Sequence, residues 1–113
     1  LSARIGSIAD NHKGSWYGYR AYKAALNMLM QTAAIELQHK SAQLRVVALQ
    51  PGTVHSELSQ PFSAGFTRLL EPAESVSGML AALQNLQPRQ DAHFIDYQGK
   101  EIPWSFTVTL RFC

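Results

Sequence analysis

"LRVVALQPG", residues 44–52, packs Leu44, Val46, Val47, Ala48 and Leu49 into one nearly unbroken apolar run stopped by Pro51 and Gly52. A strand that shows water only one face alternates apolar and polar residues, whereas a strand covered on both faces does not need to. The run therefore predicts a strand inside a parallel sheet with helices on either side. Upstream, Tyr19, Tyr22, Leu26, Leu29, Met30, Ala33, Ala34 and Leu37 recur at three- and four-residue steps between Trp16 and Lys40. That period predicts a long helix, and its many alanines predict close approach of neighbours over much of its circumference. Downstream, "EPAESVSGMLAALQNL", residues 71–86, places Pro72 in a first helical turn, with Val76, Met79, Leu80 and Leu83 at helical steps to about Leu86. "AHFIDYQGKEIPW", residues 92–104, predicts a short strand over 93–97, a turn at Gln98 and Gly99, and an extended exit through Pro103.

Strand end, helix, strand, loop, helix, strand is the alternation of an α/β layered fold. Two units alone leave the sheet edges open, and the chain opens on Leu1 inside a short apolar stretch. A fragment of a longer protein is expected. The region between residues 55 and 70 breaks any single period with Ser56, Pro61 and Gly65, and reads as a loop with short helices.

Composition narrows the function classes. Ten Lys and Arg are dispersed among eight Asp and Glu, for a formal net charge of +2. There is no basic run, which argues against nucleic acid as a partner. No apolar run approaches the roughly 20 residues that span a bilayer. Cys113 stands alone and nothing resembles a secretion signal, so a cytoplasmic setting is expected. The four histidines lie on separate elements without metal-ligand spacing, and are expected at the surface.

Chemistry concentrates in "YGYRAYKAAL", residues 17–26, where only Tyr19 of three tyrosines has a lysine four positions later, Lys23. On a helix those side chains stand one turn apart on one face. A phenol is almost wholly protonated at neutral pH, and a nearby cation favours its phenolate, so such a pair suits proton transfer. An ammonium also carries three donors that can hold the hydroxyls of a sugar. A buried ring beside a solvated amine is the structural alternative at the same spacing.

"GSWYGYRAYKAALN" (14–27), preceded by "SARIGSIADN" (2–11) and followed by "VVALQPGTVHSEL" (46–58) and "GKEIPW" (99–104), resembles the carboxy-terminal half of the short-chain dehydrogenase/reductases. The similarity is strongest to their C-factor-like and sniffer-like carbonyl reductase branch. It covers residues 1–104 as a partial domain and leaves 105–113 as an unassigned tail with alternating apolar residues. The resemblance implies part of a Rossmann-like doubly wound sheet, with the amino-terminal nucleotide-binding half absent. It implies an NADP- or NAD-dependent oxidoreductase acting on a small ketone, aldehyde or alcohol, and a homo-oligomer joined through the long helix.

The resemblance further implies Tyr19 as catalytic acid or base and Lys23 as the residue that tunes it and binds the nicotinamide ribose. Pro51, Gly52, Thr53 and Val54 match the segment that meets the nicotinamide carboxamide, and residues 55–70 match the variable substrate lid. Counting back from Gly6, the family's serine position falls on Ala3, so Ser7 and Ser2 are the available hydroxyls, with Ser7 twelve residues before Tyr19. Tyr22 replaces a small residue of the family, and its ring is expected to pack on the sheet or a partner helix, the alternative being that it crowds the ribose side. Neither Gly14 nor Gly18 sits in a strand-to-helix phosphate turn. A catalytically inactive packing or dimerising module is the other reading.

Overall fold

The computed structural model describes residues 1–53 and 69–105. A single 3-10 turn over Arg4–Gly6 precedes helix α1 (Tyr17–Gln38), strand β1 (Val47–Gln50), helix α2 (Pro72–Gln84) and strand β2 (His93–Asp96). The strands pair in parallel, with Val47 opposite His93 and Gln50 opposite Asp96. This is the α/β class and the parallel sheet that the apolar run at 44–52 predicts. On its other side β1 receives a further backbone hydrogen bond, from the Ser2 amide to the Leu49 carbonyl at 2.8 Å.

Both faces of the small sheet are covered. Ala48, Phe94 and Ile102 form one cluster, onto which Met30 of α1 and Trp104 pack; the Phe94 and Trp104 rings lie 4.8 Å apart at 43°. Leu49 and Ile95 face the opposite way, against Ala82, Met79 and Leu83 of α2. That two-sided burial is why the strands carry apolar side chains in succession.

The first strand begins later than its apolar run. Arg45 points away to donate 2.9 Å to the Leu86 carbonyl just past α2, tying the start of the strand to the exit of that helix. Pro72 occupies the first turn of α2, where its missing N–H costs nothing. Ser75 donates from α2 to the Pro51 carbonyl at 2.6 Å, tying that helix to the bend after β1. The Pro51–Gly52 bend itself needs glycine: Gly52 has φ +80°, and a Cβ there would lie 2.5 Å from Leu70 Cδ1 and 3.0 Å from the Tyr97 ring.

Two expectations change. Helix α1 buries only Asn27 and Ala34, while Tyr17, Met28 and Leu29 are exposed. Small residues permit close packing but do not supply the element that packs, and among the described residues one side of α1 meets the sheet while no element covers the other. His93 is not a surface residue; it is buried at the start of β2, with Nε2 3.0 Å from the Gln87 carbonyl. The short helices expected over 55–70 and the tail strand lie outside the described residues, apart from Leu70 and its flank. No described helix is long and apolar enough to cross a membrane.

Candidate active site

The Tyr19–Lys23 pair forms as the spacing predicts. Both residues lie in the first two turns of α1, and the Lys23 Nζ stands 5.8 Å from the centroid of the Tyr19 ring. Tyr19 is 47% exposed, so its side chain is not spent on the core.

The entry to α1 is built by an unusual stretch of backbone. Gly14, Ser15 and Trp16 all have positive φ, at 71°, 60° and 60°, a region costly for residues with a Cβ. Arg20 compensates. Its guanidinium donates to the Ser15 carbonyl at 2.8 Å, the Gly14 carbonyl at 3.0 Å and the Ile5 carbonyl at 3.3 Å, drawing this loop and the 3-10 turn against the helix one turn before Lys23. Nothing in the spacing around Arg20 announces that role, because its partners are main-chain carbonyls whose positions depend on the fold.

Gly6 sets the distance between that turn and the helix. A Cβ at position 6 would fall 2.8 Å from the Lys23 carbonyl carbon and 2.9 Å from its Cβ, which are rigid helix atoms. Gly6→Ala is therefore expected to push the Lys23 turn outward and lower stability by about 1–3 kcal/mol. A urea midpoint unchanged from wild type contradicts this close approach.

The two candidate serines sit on either side of this contact, and both hydroxyls have protein partners. Ser7 is buried, donates to the Pro103 carbonyl and accepts the Asp10 amide at 3.1 Å. Ser2 donates to Asn27 Oδ1 at 2.5 Å, one helical turn beyond Lys23, fastening the incoming chain to α1. Ala3 carries no hydroxyl.

Pro51, Gly52 and Thr53 leave the carboxyl end of β1, partly accessible, with the Thr53 carbonyl accepting the Leu70 amide at 2.8 Å. Val54 lies outside the described residues. The bend and the helical pair share one end of the sheet: the Arg4 amide bonds the Gln50 side chain at 2.9 Å, and two residues later Gly6 abuts Lys23. In parallel α/β sheets that end, beyond the strand carboxyl termini, is where ligands bind. Arg4 also reaches Asp96 Oδ2 at 3.2 Å, and Asp96 holds the next turn through the Gln98 and Lys100 amides. Both residues were invisible as a pair in the sequence, being 92 positions apart.

Tyr22 does not pack on the sheet: it is 64% exposed, and the Lys23 Nζ lies 5.4 Å from its ring centroid. A separate cleft of about 470 Å³ runs along the next turns of α1 between Asn27, Met28, Gln31, Arg89 and Trp104, and includes neither Tyr19 nor Lys23. Among the described residues no group of three or more His, Cys, Asp and Glu is placed to hold a metal ion.

No family model matches the chain. Individual proteins do. C-signal of Myxococcus xanthus is 36% identical over 104 residues, covering 92% of this chain and 58% of that protein. The carbonyl reductase Sniffer of D. melanogaster superposes with a TM-score of 0.76 at 27% identity, covering 92% of this chain and 39% of its own. A Burkholderia multivorans protein assigned to the short-chain dehydrogenase/reductases, solved with bound NADP, superposes at 0.74 with 36% identity over 92% of this chain and 42% of its own. The chain thus spans between about two fifths and three fifths of the proteins it matches. Sequence alignment and three-dimensional superposition each run over nine-tenths of these residues, and both support reading the chain as a piece similar to the short-chain dehydrogenase/reductases.

Proposed function

We propose that these residues supply the proton-transfer half of an NADP- or NAD-dependent oxidoreductase acting on a small ketone, aldehyde or secondary alcohol. The observation that carries the reading is the Lys23 ammonium held 5.8 Å from the Tyr19 ring at the ligand-binding end of a parallel sheet. A bound nicotinamide supplies or accepts the hydride at the substrate carbon. Tyr19 gives the matching proton from its hydroxyl to the carbonyl oxygen in reduction and takes it back in oxidation. Lys23 keeps a positive charge beside that phenol and offers three donors to a ribose diol. Pro51, Gly52, Thr53 and Val54 would border the carboxamide. Ser7 supports the site through the 3-10 turn, whose Gly6 seats Lys23.

The donor set fits the nicotinamide end of such a cofactor, since an accessible amine and a glycine bend stand at the same sheet end. Among the described residues no glycine turn suits the diphosphate: Gly14 precedes α1 in a loop, not in a strand-to-helix turn. The chain's partial coverage of its relatives agrees with that division.

One observation favours a second reading, an inactive packing or dimerising module: α1 exposes Tyr17, Met28, Leu29 and Ile35. Titrating NADPH while following Trp16 and Trp104 fluorescence separates the two. The longest polypeptide encoded in frame with these residues is expected to show saturable quenching in the micromolar-to-millimolar range usual for enzyme ligands. Lys23→Met should weaken it. Absence of quenching, together with concentration-dependent association in sedimentation, transfers the conclusion to the module.

A further inference from the structure

We propose that Tyr22 is a positioning residue for Lys23, its ring forming the second wall of an aromatic cradle around the ammonium. The consequence for cofactor binding rests on the reading of Lys23 given above. The Lys23 Nζ lies 5.4 Å from the Tyr22 centroid and 5.8 Å from that of Tyr19, both inside the roughly 6 Å over which a cation is drawn to a ring face. Burial does not explain Tyr22, because its side chain is largely exposed. Among the described residues no carboxylate forms an ion pair with the amine: the pairs there join Arg4 to Asp10 and Asp96, and Arg89 to Glu101.

The kind of restraint matters. A carboxylate would occupy N–H donors of the ammonium, whereas a ring face attracts the charge through its quadrupole and leaves those donors available. Two rings therefore confine the amine while it stays competent to bond a diol. The ring does this without its hydroxyl, so phenylalanine at position 22 should serve and serine should not.

Reductive ¹³C-methylation of the lysines tests the cradle without any cofactor, since methylation preserves the charge. The chain has four lysines, at positions 13, 23, 40 and 100. The Lys23 methyl resonance, identified by its disappearance in Lys23→Arg, is expected upfield of the other three through ring currents. Tyr22→Ser should move it toward them and Tyr22→Phe should not. In the full in-frame polypeptide Tyr22→Ser is expected to weaken NADPH binding by about two- to fivefold, the size of an exposed cation–π contact, with Tyr22→Phe at wild-type affinity.

A Lys23 resonance unmoved by Tyr22→Ser overturns the cradle. A moved resonance with unchanged NADPH affinity overturns the positioning role. If the resonance behaves as expected and the wild-type polypeptide binds no NADPH, the cradle stands and the oxidoreductase reading falls.

Discussion

Tyr19→Phe in the full in-frame polypeptide is expected to lower NADPH-dependent reduction of a small ketone or aldehyde by about 10²–10⁴-fold, the contribution typical of a positioned general acid. The substitution removes one oxygen from a ring that is 47% exposed, so the helix and the sheet beneath it should be untouched. NADPH affinity is expected to stay near wild type, because the charge and donors of Lys23 remain. Lys23→Met should differ in kind, weakening cofactor binding and turnover together. Stopped assays at saturating NADPH, with fluorescence titration of each variant, distinguish the patterns. Retention of a tenth or more of the activity in Tyr19→Phe is incompatible with the phenol as proton donor.

Phe94→Ala carries the largest stability effect, about 3–5 kcal/mol, the range for removing a buried aromatic and leaving its cavity. Phe94 is 1% exposed, stands opposite Ala48 in the sheet, and touches Trp104 across a ring contact of 4.8 Å. Neighbours on three sides belong to different parts of the chain, and none can close the gap alone. Since small domains hold only about 5–15 kcal/mol in total, this one change should remove a large share of it. Urea unfolding followed by circular dichroism gives the value. A loss below 1 kcal/mol would show that the Ala48, Phe94 and Ile102 cluster is not the centre of the core.

Local signals were strong wherever an element is organised by its own neighbours. Tyr17–Gln38 appears within two residues of the helix that the apolar period predicts, and the strand at His93–Asp96 and the turn through Gly99 fall where the pattern places them. The Tyr19 and Lys23 pairing was equally legible, since four residues on a helix is a geometric relation that needs no tertiary contact. Helix coverage was not. Alanines at positions 21, 24 and 25 admit a close neighbour, but whether one arrives depends on what else the polypeptide provides. Which of its possible neighbours Tyr22 meets was not legible for a related reason: its face of the helix was readable, yet its exposure there and its proximity to the ammonium follow from which side of α1 the sheet occupies.

The residue order alone determined that this chain makes helices flanking a parallel sheet and that one phenol meets one amine across a helical turn, because backbone period and side-chain spacing act over a few positions. Tertiary structure decided how that pair is presented. Arg20 gathers three loop carbonyls, Gly6 lets a distant turn touch the Lys23 backbone, and Arg4 joins Asp96 across 92 positions. Each of these depends on separation in space rather than along the chain, and only packing brings such atoms within the few ångströms over which hydrogen bonds and steric contact operate.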